Sequence, residues 1–131
     1  MLNSTLSHSE DNASGAKYRF KQLQDLEIEI NWDDLLLDIE PHYQAFSVGR
    51  SPVSAKTMLR IYFIQLRYGM NASGAEEALF QIEVLREFAL IKENRGIIPD
   101  ESCIKAFNRL VTEQGYGAKF EKAFDLVRSK V

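Results

Sequence analysis

The sequence has one cysteine, two histidines and no long apolar run, and each shortage excludes a class of protein. A single cysteine excludes an internal disulfide, which agrees with a reducing compartment. The longest apolar runs, Ile61 to Ile64 among them, are far shorter than the roughly 18 residues of a membrane-spanning helix. The N-terminus has no basic stretch followed by an apolar one, so no secretory signal is predicted. We therefore expect a cytoplasmic protein that does not contact a membrane.

The composition allows one domain with a true hydrophobic core, because 45% of the 131 residues are apolar. Residues 1–17 are rich in Ser and Asn and lack periodicity, so we predict a disordered tail there and one helical domain over 18–131. Cys103 is expected to pack as a small core residue. A catalytic thiol would need a base beside it, and only His8 and His42 are available.

No acidic residue lies between Gly49 and Ala75, although the chain carries a net charge of −3. Ser54 to Tyr68 reads as a helix within this segment. On that helix Lys56, Arg60 and Arg67 fall within about 40° of one another and form a predicted basic stripe. Arg50 precedes it in a turn. The stripe is either a contact for phosphate groups or an ordinary solvated face.

The spacing of apolar residues predicts an all-α bundle of four to five helices. Residues 26–30 fit a strand as well as a helix, and both stay open. The other helices are predicted at 32–40 before Pro41, at 54–68, from about 74 to 90 with a bend near 81–84, at 100–114 and at 117–130. Predicted helix caps are Ser73 with Glu76 as a capping box, Asp100 as an N-cap, and Gly69 and Gly115 after helix ends.

The helix at 100–114 has an apolar face and a polar face. The polar face carries Lys105, Asn108 and Thr112, with Arg109 at its margin. Together with residues 85–90 this helix could form an atypical helix-turn-helix, although a loop of about nine residues would replace the usual turn of three or four. The same pattern also fits an ordinary amphipathic helix with a solvated face.

The sequence predicts no cofactor and no metal site. Asp34 and Asp38 lie one helical turn apart, but two carboxylates on an acidic face do not provide a convergent ligand set. No phosphate-binding glycine loop and no catalytic His-Cys pair is present.

A series of short motifs runs from Trp32 to Val131. The motifs are Ile39-Glu40-Pro41, Gly49-Arg50-x-Pro52, Thr57-Met58-Leu59-Arg60-Ile61, Gly74 with Glu77-Ala78-Leu79, Phe88-Ala89, and Pro99-Asp100 with Ile104, Phe107 and Leu110. This series resembles the N-terminal helical domain of bacterial insertion-sequence transposases of the InsH type. In that family an RNase H-like domain with a metal-binding Asp/Asp/Glu triad follows, and the helical domain is thought to recognise element ends or to help assembly.

The sequence departs from that family in two respects. It ends at Val131, before the first catalytic strand would begin, so we expect no enzyme activity from this chain. The family also tends to have Phe-Arg inside the Pro-Asp helix, whereas here Phe107 is followed by Asn108, with Arg109 one position later.

Two functions remain open at this stage. The first is a DNA-binding module for duplex DNA, such as terminal inverted repeats, which would associate with the bacterial nucleoid. The second is a protein-interaction module that pairs with itself or with an intact transposase, through the apolar face of the last helix. The predicted DNA-binding residues are Arg50, Lys56, Arg60, Arg67, Lys105, Asn108, Arg109 and Thr112.

Overall fold

The structure, a computed structural model, describes residues 21–47 and 53–128, and the side chains of 21–43 and 53–128. These residues form seven α-helices and one 3₁₀ turn and contain no strand, which confirms the all-α prediction. The elements are α1 at 21–29, α2 at Trp32–Ser47, α3 at Ala55–Tyr68, α4 at Ala72–Gln81, α5 at Glu83–Phe88, the 3₁₀ turn at Ile91–Asn94, α6 at Glu101–Glu113 and α7 at Gly117–Arg128.

The chain forms two compact units, Met1–Ile30 and Asn31–Val131. The first unit contains α1, which settles the open choice at 26–30 in favour of a helix. Leu23 and Leu26 are buried and Ile28 is exposed, as the helical period requires. Residues 1–17, predicted as a tail, lie outside the described residues, so the predicted domain division stays a prediction.

Helix α3 is the centre of the second unit. Side chains on nearly all its sides are buried, including Met58, Ile61 and Phe63, and α2, α4, α6 and α7 all pack against it. A helix that is apolar all round is stable only inside a core, where each large side chain contributes about 1.5–3 kcal/mol. Gly69 ends α3 with a φ of 64°, in the left-handed conformation predicted for it.

Helix α2 continues through Pro41 to Ser47, so the predicted end at Glu40 is wrong. A proline inside a helix removes one backbone hydrogen bond and costs about 3 kcal/mol. Tertiary contacts offset this cost, because the Tyr43 hydroxyl donates to the carbonyl of Val53 at 2.7 Å and its ring meets Phe107 at 5.8 Å. At Pro41, tertiary packing therefore outweighs the tendency of proline to end a helix.

The first turns of α4 and α6 are capped in different ways. Asn71, not Ser73, is the N-cap of α4, because its side-chain oxygen accepts the N–H of Gly74 at 2.8 Å. Glu76 does not complete a capping box there. Its carboxylate instead accepts the N–H of Glu101 at 2.9 Å, at the start of α6. The predicted N-cap of α6 is confirmed, since Asp100 accepts the N–H of Cys103 at 2.9 Å, and this bond lowers the pKa of Asp100.

Helix α7 packs its apolar face inside the second unit. Phe120, Phe124 and Val127 are buried, and the first two contact the ring of Phe63 on α3. On the polar side Lys119 forms ion pairs with Asp34 and Asp38 of α2, and its pKa is raised chiefly by the hydrogen bond to Asp38. The expectation that the apolar face of this helix is left for a partner is therefore wrong, because α3 covers it.

The capping of α4 leads to a test with an internal control. Replacing Asn71 by Ala should lower the free energy of unfolding by about 1 kcal/mol, because the N–H of Gly74 loses its acceptor. Replacing Ser73 by Ala should leave stability unchanged or raise it by a few tenths of a kcal/mol, since Ala has the higher helix propensity. Urea unfolding followed by circular dichroism measures both. Equal losses for the two variants would contradict the assignment of Asn71.

Candidate nucleic-acid interface

The predicted basic stripe of α3 is interrupted in the structure. Lys56 is exposed and Arg67 is partly exposed, but Arg60 lies between them and retains only 6% of its accessible surface. Arg50, the fourth predicted cation of this region, lies outside the described residues. The described part of α3 has no continuous exposed ridge, so the predicted exposed position of Arg60 in this stripe is wrong.

The guanidinium of Arg60 is held inside by aromatic rings. It lies 4.5 Å from the ring centroid of Trp32 and 5.2 Å from that of Phe88, and its Nη1 donates to the carbonyl of Phe88 at 3.0 Å. A planar guanidinium can stack on rings and still direct its N–H groups at an acceptor, which offsets the cost of burying its charge. Arg60 therefore connects α3 to α2 and α5.

The outer face of α6 presents three of the predicted residues to solvent. Lys105 is exposed and pairs with Glu101 at 2.9 Å, one turn earlier. Arg109 is exposed and has no ion pair with any other described residue. Thr112 is exposed, and its hydroxyl donates to the carbonyl of Asn108 at 3.2 Å.

Asn108 is occupied within the fold. Its amide N–H donates to Gln65 at 2.9 Å, and its amide oxygen accepts from Gln65 at 3.1 Å. This reciprocal pair joins α6 to α3 and satisfies the side chain of Gln65, which is only 8% exposed. The predicted base-reading role of Asn108 is therefore corrected, because a base could reach its amide only by breaking both bonds.

The two predicted groups of cations do not share one surface. Gln65 marks the side of α3 on which α6 lies, and Arg67 follows two residues later. At about 100° per residue their directions differ by about 160°. Lys56 lies on the same side as Arg67, so both point away from α6. On α6 itself the exposed Lys105 and Arg109 are balanced by Glu101 and Glu113.

The structure does not confirm a helix-turn-helix. Residues 89–100 separate α5 from α6 and contain the 3₁₀ turn. Helix α6 packs mainly on α4 and α3, whereas α5 packs mainly on α4 and the 3₁₀ turn. The three- or four-residue connection of that motif is not seen between α5 and α6.

The 3₁₀ turn carries a polar connection that the sequence did not reveal. The Asn94 amide oxygen accepts the N–H of Ser54 at 2.9 Å, and its NH₂ group donates to Thr57 Oγ1 and to the carbonyl of Leu90. All three bonds fix the turn, and the first two attach it to the start of α3. In the sequence the segment 92–96 is only a charged stretch, and nothing in that pattern pairs Asn94 with a residue 40 positions earlier.

A shallow groove lies between α4, α5 and the 3₁₀ turn, with a volume of about 530 Å³. Phe80 lines it and is 61% exposed. The groove is lined by Phe80, Glu83, Arg86, Glu87, Ile91, Lys92, Gly96 and Ile98. Arg86 also donates to the carbonyls of Leu79 and Phe80, so it caps the C-terminal end of α4.

Cys103 is exposed, so its predicted core position is wrong. Partial desolvation and a hydrogen bond to Asp100 raise the pKa of its thiol. Among the described residues, no three His, Cys, Asp or Glu side chains are grouped closely enough to hold a metal ion. None of the described helices is long and apolar enough to cross a membrane.

The second unit is thus a helical domain built around α3, and exposed cations such as Lys56 and Arg109 lie on its surface. A family model described as a transposase domain (DUF772) matches residues 13–110. The chain therefore belongs to the DUF772 transposase-domain family. The matched span includes α3, the 3₁₀ turn and Arg109, and it ends before Thr112 and α7. No solved structure matches the chain.

The burial of Arg60 leads to a second test. Replacing Arg60 by Ala should lower the free energy of unfolding by about 2–4 kcal/mol, because ring stacking and a charged hydrogen bond are lost and a cavity is left. Lys56→Ala removes the same charge from the exposed end of the same helix and should change stability by less than about 0.5 kcal/mol. Chemical denaturation measures both, and similar values for the two variants would contradict the buried assignment.

Proposed function

We propose that this chain is a DNA-binding domain of a transposase-like protein, and that α6 provides the surface that reads duplex DNA. The observation that carries the proposal is the exposed polar face of α6, with Lys105, Arg109 and Thr112, on a member of a transposase-domain family. The helix is held by the core packing of its apolar face and by the pair of Asn108 with Gln65. A helix held in this way can present side chains to a groove at low entropic cost.

The C-terminal half of α6 is the better candidate for contact. Asp100, Glu76 and Glu101 place three carboxylates at its first turn, where they would repel phosphates. Arg109 lies beyond them and has no ion pair among the described residues. Its guanidinium suits the paired acceptors of guanine in the major groove, and the Thr112 hydroxyl can contact a base or a phosphate.

The proposal predicts a loss of discrimination when Arg109 is replaced by Ala. Binding to a duplex selected by the wild-type protein from a random pool should weaken by about 1–3 kcal/mol more than binding to an unselected duplex. Lys122→Ala, which removes an exposed cation from α7, is the matched control and should weaken both duplexes alike. Fluorescence anisotropy at several salt concentrations measures the affinities.

Two results would contradict the proposal. One is the absence of duplex binding at low salt by a protein whose circular dichroism shows it to be folded. The other is an equal effect of the Arg109 and Lys122 variants on both duplexes.

A second candidate function is self-association, and the exposure of Phe80 favours it. An exposed aromatic ring beside a groove is typical of an interaction surface. Replacing Phe80 by Ser should shift the protein toward the monomer in analytical ultracentrifugation. Leu37→Ser is the matched control, because Leu37 is 75% exposed on α2, away from the groove lining. A wild-type protein that stays monomeric at high micromolar concentration would eliminate this candidate.

A further inference from the structure

The attachment of the 3₁₀ turn to the start of α3 brings together cations from two distant parts of the chain. Asn94 bonds to the N–H of Ser54 and to Thr57 Oγ1. Lys56 lies between these two partners in sequence, and Lys92 and Arg95 lie within two residues of Asn94. All three cations are exposed. The hydrogen bonds of Asn94 therefore fix the backbone from which each of them extends.

We call the contact between the 3₁₀ turn and the start of α3, with Lys56, Lys92 and Arg95 around it, the junction. Its charge balance is more favourable to phosphate than that of α6. Glu93 is the one acid of the 3₁₀ turn, and Glu87 lines the neighbouring groove with Lys92. Glu83 and Arg86 line the same groove, so the junction and groove together carry four cations and three acids, whereas the outer face of α6 carries two of each. The junction also retains Lys56, the exposed N-terminal cation of the interrupted stripe.

We infer that Lys56, Lys92 and Arg95 form a phosphate-contacting surface for the backbone of duplex DNA. The inference rests on the proposed function and adds to it, because it separates a surface that supplies sequence-independent affinity from the α6 face that reads bases. This division is common, since phosphate contacts position a protein on DNA and base contacts supply specificity.

The two surfaces are attached to different parts of α3. The turn attaches to α3 at Thr57, and α6 attaches at Gln65. Eight helical residues separate these positions, so their directions differ by about 80° and they lie about 12 Å apart along α3.

The salt dependence of binding tests the inference. The junction variant combines Lys56→Gln, Lys92→Gln and Arg95→Gln. The control variant combines Lys21→Gln, Lys122→Gln and Arg128→Gln, which removes the same charge from other exposed positions. Each lost phosphate contact should reduce the slope of log affinity against log salt by about 0.9, so the junction variant should lose about 2 to 3 units of slope. The control should lose less than one.

Chemical footprinting of the wild-type protein gives an independent measurement. Acetylation of lysines, followed by mass spectrometry, should show Lys56 and Lys92 protected when duplex DNA is added, while Lys122 stays reactive. Protection of Lys122 with Lys56 and Lys92 still reactive would overturn the inference.

The outcomes separate this inference from the proposed function. If the wild-type protein binds duplex DNA and both triple variants lose the same slope, the junction surface is wrong and the proposed function stands. If the folded wild-type protein does not bind duplex DNA at all, both are overturned. A selective loss in the junction variant, with the discrimination by Arg109 retained, supports both.

Discussion

The burial of one charged side chain is the constraint on which the second compact unit depends. Helix α3 is apolar on nearly every side and can exist only in a core, yet it carries Arg60 in its middle. The rings of Trp32 and Phe88 and the carbonyl of Phe88 accept that charge, so α2 and α5 must lie where they do. Removing one of these partners would weaken the compensation for the buried charge, and burial of a charge is costly when its partners are lost.

Several predictions that rest on signals within a few residues are confirmed, although the Ser73 capping box and the helix end before Pro41 are not. Asp100 as an N-cap and Gly69 after α3 follow from local backbone chemistry, and the apolar period of α6 and α7 identified their buried faces. Predictions that depended on distant partners were wrong. Arg60 lies 28 residues from the carbonyl that accepts its hydrogen bond, and Asn108 lies 43 residues from Gln65. The apolar periodicity of a helix carries no information about such distant pairs, so both residues were predicted to be exposed.

The same reasoning explains which part of the candidate interface survives in the structure. Polar residues in the middle of a packed helix are buried and bonded to neighbouring helices, whereas those at its ends or on an outer helix stay exposed to solvent. Lys56, at the start of α3, belongs to the second kind, and Arg60, in the middle of the same helix, belongs to the first. A polar residue near the surface of a small helical domain therefore needs its packing partners to be known before it is assigned to a ligand.

At the residues that flank the 3₁₀ turn, backbone stability and positive charge favour different side chains. Leu90 and Arg95 both have a φ of 61°, a conformation that costs a side chain about 1 kcal/mol and that glycine adopts freely. Glycine at position 95 would relieve this strain but would remove a cation from the junction with α3. If the junction contacts phosphates as inferred, Arg95 is a position where a more stable protein would bind DNA more weakly.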